Sequence, residues 1–171
     1  MSIAAIIALG TVVAVIAVMA GEAVLSAHNA SLLRARGAVE PPDDPYTRMR
    51  AAYPLSFIAM GVEGALRGPS PELLLAIGLL VFGVAKALKA WAISSLGPRW
   101  SFQVLVPPGD PPVVRGPYAF IRHPNYLAVC GEIIGVALIV GAAVTGVAAF
   151  LGFGWLMLRR IAVEDRALGR R

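Results

Sequence analysis

Charge is scarce in this chain. Only 15% of its 171 residues are Asp, Glu, Lys or Arg, while 58% are hydrophobic. A soluble domain carries roughly a quarter charged residues, so the composition excludes an ordinary water-soluble enzyme. Cysteine is nearly absent. Cys130 stands alone, which excludes an intramolecular disulfide. We read Cys130 as a small buried apolar residue. Histidine occurs only as His28 and His123, and no Cys/His spacing suits zinc, so no metal is expected. Internal repeats and low-complexity segments are lacking. The basic residues form no nucleic-acid signature, so no nucleic-acid partner is expected.

Long uncharged runs are what the chain has. Residues 3–20, 51–62, 73–85 and 133–158 carry no charge, and the last run is 26 residues long. A bilayer span needs about 20 mostly apolar residues. The expected fold is therefore all-α: a polytopic integral membrane protein in one domain, residues 1–171. Spans are expected near 3–27, 50–66 and 72–95, with two more between 126 and 163. The first run has no basic residue before it and is longer than a signal-peptide core, so it reads as a true span. The segment 68–72, Gly-Pro-Ser-Pro-Glu, reads as a tight turn with Ser70 as a helix cap. Pro54 either kinks the second helix or marks its first turn.

The last region decides where the polar residues meet. A single helix over 127–163 would run about 55 Å, against a hydrocarbon core of about 30 Å. Two helices of about 17 residues fit, with the turn at Gly141-Ala142-Ala143. This C-terminal hairpin makes about five spans. It also returns Glu164 to the membrane face that holds His123.

Arginine placement gives an orientation. With five spans, Arg34, Arg36, Arg48, Arg50, Arg99, Arg115, Arg122, Arg159, Arg160, Arg166, Arg170 and Arg171 all lie on one side, and only Arg67 lies opposite. Positive residues favour the cytoplasm, which puts the N-terminus outside and the polar face inside. The expectation is a multi-pass protein of the cytoplasmic membrane, touching anionic lipids through its net charge of +5. Lys86 and Lys89 are expected to snorkel at the inner end of the third span. Glu22 and Glu63, inside spans, are expected to hold helices together, while Glu132 divides evenly between structure and function. His28 and Asn29 read as a polar helix end. Trp91, Trp100 and Trp155 read as interface or packing residues.

Two polar clusters bracket the hairpin. One is residues 116–126, Gly-Pro-Tyr-Ala-Phe-Ile-Arg-His-Pro-Asn-Tyr; the other is residues 159–165, Arg-Arg-Ile-Ala-Val-Glu-Asp. Arg122 and His123 supply donors, and Tyr118 and Tyr126 supply rings with hydroxyls. Pro124 fixes the backbone where a helix begins, and its amide groups suit a carboxylate. Glu164 accepts hydrogen bonds from hydroxyls or an ammonium. The set suits a zwitterionic, adenosine-bearing ligand. An interfacial anchor explains the same residues equally well on physical grounds.

The string Arg122-His123-Pro124-Asn125-Tyr126, with Gly116-Pro117-Tyr118 before it and Arg160-x-x-x-Glu164 across the hairpin, resembles the isoprenylcysteine carboxyl methyltransferase family. The resemblance covers about the last 75 residues. It implies an integral membrane enzyme that uses S-adenosylmethionine and releases S-adenosylhomocysteine, with residues 96–171 as the cofactor-binding and catalytic part. His123, Pro124, Asn125 and Tyr126, with Arg122 beside them, would wrap the cofactor. Tyr118 would line its pocket, and Asp110 to Val113 would touch adenosine. Glu164 would bind its polar portion, and Arg160 would face the acceptor as the catalytic residue.

The first half resembles a bacterial branch that methylates long-chain alkylpyrones or alkylresorcinols. The resemblance there lies in Asn29, Leu33, Gly37-Ala38-Val39-Glu40, Trp100 and the Pro107–Pro111 loop. Asp110, Asp165 and Ala128 depart from the prenylcysteine enzymes, which points to another acceptor. The expected function is O-methylation of a carboxylate or an enol or phenol hydroxyl on a lipophilic acceptor that enters from the bilayer. Two rivals remain: a phospholipid N-methyltransferase, and a non-catalytic membrane protein or small transporter. A transporter should carry polar groups at the bilayer midplane, whereas the polar clusters here lie at one face.

Overall fold

A backbone inside lipid must satisfy its own N–H and C=O groups, so each apolar run becomes a helix. The computed structural model describes residues 2–169. Its order is α1 (Ile3–Ala35), α2 (Tyr46–Arg67), α3 (Glu72–Leu96), 3-10 turns at Gly97–Arg99 and Gly116–Ala119, α4 (Pro124–Val140) and α5 (Ala143–Ala167). Among the described residues the only strand-like pairing is an isolated bridge between Val39 and Val106. By length and composition α1, α3 with its 3-10 extension, and α5 are long and apolar enough to cross a membrane. α4 is apolar but shorter, at 17 residues. The protein is an all-α polytopic membrane protein.

The hairpin forms where the length argument puts it. Gly141 closes α4 in the left-handed conformation (φ 72°), which glycine adopts without steric cost, and α5 begins two residues later. Glu63 of α2 accepts from the backbone N–H of Val144 (3.1 Å) and Thr145 (2.7 Å), so it caps the start of α5. It also pairs with Arg67 at 2.9 Å. Glu63 thus holds helix ends together, as expected. Ser70 does not cap α3. Pro71 occupies the N-cap position, and the Ser70 hydroxyl donates to the Leu138 carbonyl at 2.7 Å, tying the turn to the end of α4.

Helix α1 runs farther than expected, to Ala35 rather than residue 27. Its last turns are held by the long loop. The Asn29 amide donates to the Trp100 carbonyl at 2.9 Å, and Ser26 Oγ accepts from the Phe102 N–H at 2.7 Å. Ala30 and Leu33 bury against Ala38 and Leu105. Thirty-three residues give a rod of about 50 Å, so α1 projects beyond the hydrocarbon core into this loop layer. Asn29 is therefore a structural helix end, and His28 is exposed. Pro54 lies well inside α2, not in its first turn, because α2 starts at Tyr46.

Small residues bring α3 and α4 together. Gly131 and Gly135 lie four apart on one face of α4. A Cβ on Gly135 would lie 2.8 Å from Phe82, and one on Gly131 would lie 2.8 Å from Ala85. Such close approach replaces the hydrophobic effect, which is absent between helices in lipid. Phe57 and Met60 of α2, Ile133 and Val136 of α4, and Phe153 and Met157 of α5 form the buried core.

The connections 36–45 and 97–123 and the end of α5 meet at one end of the bundle. Arg36 pairs with Asp110 at 2.7 Å, Arg166 pairs with Asp43, and the Arg160 guanidinium donates to the Phe102 carbonyl. Every described arginine except Arg67 belongs to this end. Arg170 and Arg171 lie outside the described residues.

Candidate active site

The sequence-predicted residues meet at this arginine-rich end. His123 is the N-cap residue of α4, and Tyr126 lies in its first turn. Glu164 lies in the last turn of α5. The hairpin brings them together: the Tyr126 hydroxyl donates to Glu164 Oε2 at 2.8 Å. His123 sits between two carboxylates, with Nδ1 3.6 Å from Glu164 and Nε2 3.2 Å from Asp165. The Nδ1 contact is slightly longer than a hydrogen bond, and neither ring nitrogen has a well-formed hydrogen-bond partner among the described residues. Glu164 is the main cause that raises the His123 pKa above the ordinary imidazole value, with burial opposing and Asp165 adding to the rise. Burial first, then the nearby Glu164 charge, raises the Tyr118 hydroxyl and keeps it protonated.

Glycine sets the approach to this cluster. Gly116 has φ 59°, and a side-chain carbon there would overlap Ser95 Oγ. Only glycine lets the 116–119 turn lie on the end of α3, which places Tyr118 at the cavity wall.

A cavity of about 440 Å³ opens at this end and continues among the helices. Asp110, Val113, Tyr118, Arg122, His123, Asn125, Tyr126, Arg160 and Glu164 all line it. Pro124 is buried and is not among the lining residues; it starts α4 and positions its neighbours. The Asp110 carboxylate is held by Arg36 at 2.7 Å and by Arg99 at 3.4 Å, which ties the 107–113 loop to α1 and to the end of α3. The membrane-ward walls come from Ile16 and Met19 of α1, Tyr53 and Pro54 of α2, Lys89 of α3, Val129 of α4 and Phe153 of α5.

Arg160 is 6% exposed. It donates to the Phe102 carbonyl, lies 3.8 Å from Asp44, touches Met49 Sδ at 3.9 Å and sits over the Tyr46 ring. Asp44 in turn accepts from the Tyr46 and Val104 N–H groups, each at 3.1 Å. This frame holds the guanidinium at the cavity wall. Arg160 Nε and Asn125 Oδ1 are buried with no hydrogen-bond partner among the described residues. A buried unpaired donor and acceptor are costly unless a ligand meets them. Acidic, hydroxyl and cationic groups thus face one space beside an apolar wall. That set fits a zwitterionic nucleoside cofactor.

A second polar cluster was not expected in this form. Lys86 and Lys89 do not snorkel. They turn into the bundle and meet Glu22 (3.0 and 2.7 Å) and Glu132 (3.2 Å each). The Tyr53 hydroxyl donates to Glu132. Glu22 thereby joins α1 to α3, as its helix-holding role predicts. Polar residues are therefore not confined to one face, because this cluster sits at the level of the middle of α4. Its charges balance internally. Lysines two and three turns from a helix end face whichever neighbour carries acid, and only the packing shows that α1 and α4 do.

The chain matches the isoprenylcysteine carboxyl methyltransferase (ICMT) family over residues 76–170. It is 32% identical over 151 residues to YpbQ, an uncharacterized protein of Bacillus subtilis (strain 168), spanning 87% of this chain and 89% of that one. The chain belongs to the isoprenylcysteine carboxyl methyltransferase family. No solved structure matches it. The family match begins within α3 and takes in Lys86, Lys89, the long loop and the whole hairpin. Every sequence-predicted site residue falls inside it. Family membership supports methyltransferase activity in a membrane protein.

Proposed function

We propose that the protein is an S-adenosylmethionine-dependent O-methyltransferase of the cytoplasmic membrane, with its site on the cytoplasmic side. The observation that carries this reading is the pair of unpartnered buried polar atoms, Asn125 Oδ1 and Arg160 Nε, at a cavity that joins a polar end to a mostly apolar membrane-ward wall. His123, Asn125, Tyr126 and Glu164 would hold the polar portion of the cofactor, with Tyr118, Arg122 and the 110–113 strip beside it. The bound sulfonium supplies an already activated methyl group. The chain must then align an oxygen with it and exclude water.

Arg160 does the positioning. A guanidinium fixed from behind by Phe102 and Asp44 holds an anionic oxygen and favours its ionised form. The apolar walls suit a long-chain tail that enters from the bilayer. The fixed cation at the reacting end favours an oxygen over an amine, which sets this reading above phospholipid N-methylation. Long-chain alkylpyrones, alkylresorcinols and lipophilic carboxylates fit the description. Calorimetry with S-adenosylhomocysteine on purified protein tests the reading. Micromolar binding that Glu164→Ala weakens supports it. Absence of binding by the wild type overturns it.

A further inference from the structure

The Glu22–Lys86–Lys89–Glu132–Tyr53 cluster is not needed to hold a cofactor. Glu132 is 0% exposed and Lys89 is 2% exposed, both inside the membrane-spanning bundle. Burying two acids and two lysines costs several kcal/mol in desolvation, and well-packed apolar residues would join the helices at less cost. The cluster is also not sealed from the site. Tyr53 and Lys89 both line the cavity that holds Arg160.

The geometry points to a proton-accepting relay: Tyr53, backed by Glu132, takes the proton of a hydroxyl on the methyl acceptor. The Arg160 guanidinium touches Met49, and Tyr53 lies one turn deeper on the same face of α2, about 6 Å along the axis. The Tyr53 ring packs on Phe153 at 5.0 Å, and Phe153 lies two turns before Arg160 on α5. An oxygen seated between Arg160 and Tyr53 therefore meets a cation on one side and the phenol oxygen on the other. Tyr53 already donates its own hydrogen to Glu132, so its oxygen is free to accept. Glu132 is paired with Lys86 and Lys89, and Glu22 pairs with the same lysines from α1.

The step balances as follows. The acceptor O–H bond breaks and its proton passes to the Tyr53 oxygen. The Tyr53 proton passes to Glu132. The acceptor oxygen forms its bond to the methyl of the sulfonium donor, and the S–CH₃ electron pair stays on sulfur. Lys89 and Tyr53 line the cavity that opens at the arginine-rich end, so the proton taken up by Glu132 returns to solvent along that cavity between turnovers. A carboxylate acceptor has no such proton to lose. The relay therefore selects a phenol or enol as the acceptor class, and it rests on the methyltransferase reading above.

The test uses the full chain in detergent or nanodiscs, as wild type, Tyr53→Phe and Glu132→Gln. Acceptors are a long-chain phenol, its nitro-substituted analogue and a long-chain carboxylate. We expect Tyr53→Phe to lose about 100-fold in kcat with the plain phenol. With the nitrophenol, which ionises unaided, the loss should stay within about threefold, and S-adenosylhomocysteine affinity should change by less than about twofold. A second readout needs no turnover. At a fixed pH below the nitrophenol's own pKa, where it no longer ionises unaided, the bound nitrophenol should show less of its visible phenolate absorption in Tyr53→Phe and in Glu132→Gln than in wild type.

Equal loss with every acceptor, or an unchanged phenolate fraction in Tyr53→Phe, overturns the relay. A wild type that methylates the carboxylate but not the phenol overturns it too and leaves the methyltransferase reading standing. A wild type that binds no S-adenosylhomocysteine sinks that reading instead, and the nitrophenol absorption still decides the relay. Should Glu132→Gln fail to fold with its lysines unpaired, Tyr53→Phe carries the result, since Phe keeps the ring packing.

Discussion

The Tyr126 hydroxyl donates to Glu164 at 2.8 Å across 38 residues of chain, joining the first turn of α4 to the last turn of α5. This bond exists only because the hairpin turns at Gly141. It predicts that the two residues act as one unit. A hydrogen bond to a charged group contributes about 1.5–3 kcal/mol, or about ten- to a hundredfold in affinity. Glu164→Ala should weaken S-adenosylhomocysteine binding by that factor. Tyr126→Phe should weaken it less, and the double variant should cost less than the sum. Calorimetry on the four proteins measures the coupling. Additive losses would show that the two bind independently.

Arg160 is framed from behind and unpaired at Nε. Arg160→Ala should therefore lower methyl transfer about 100-fold or more while changing S-adenosylhomocysteine affinity only a few-fold. Arg160→Lys should recover part, because an ammonium lacks the planar fork that reaches Phe102 and the acceptor together. Radiolabelled methyl transfer beside a cofactor titration separates the two effects. Full turnover by Arg160→Ala would remove Arg160 from the mechanism.

The clusters around His123 and Glu164 were legible because they are short strings on either side of a long apolar run. The length of that run against the bilayer forced the hairpin, and the hairpin forced the contact. The second cluster was not legible in the same way. Glu22, Tyr53, Lys89 and Glu132 sit on four different helices. Nothing local tells a lysine near a helix end whether to snorkel outward or turn toward a carboxylate on a neighbour. Asp110 shows the same limit. It lines the cavity, and its carboxylate also clamps Arg36 and Arg99, partners that only the folded loop brings near. The extra turns of α1 depend on Asn29 and Ser26 bonding to a loop some 70 residues away.

His123 makes the site pH-dependent. Its pKa is raised in the fold, chiefly by Glu164. A raised value means the protonated ring is the favoured partner. Its stabilising contribution is fully present below the unfolded value of about 6.5 and is lost as pH rises through the higher folded value. Thermal melting in detergent should fall across that window. His123→Gln should flatten the dependence, and an unchanged slope would place its cause elsewhere.

The two ends of the bundle should lie on opposite sides of the membrane. Val39, exposed in the arginine-rich end, and Pro69, exposed in the opposite turn, report on them. In a Cys130→Ala background, Pro69→Cys should react with an impermeant maleimide in intact cells. Val39→Cys should react only after permeabilisation. The reverse pattern would invert the orientation drawn from the arginines.

The α3–α4 contact depends on missing side chains. A Cβ at Gly135 would lie 2.8 Å from both the backbone N and the Cβ of Phe82, so the backbone itself must yield. Overpacking of this kind costs about 1–3 kcal/mol. Gly135→Val should therefore lower thermal stability in detergent. It should also loosen the Lys86 and Lys89 pairing with Glu132, which sits on the same face of contact. Gly152→Val is the control, because a Cβ there meets nothing within 4 Å. Valine is tolerated in lipid-facing helices, so Gly152→Val should leave melting nearly unchanged. Equal destabilisation by both would assign the effect to helix propensity, and the close approach of α3 and α4 would then lose its role in stability.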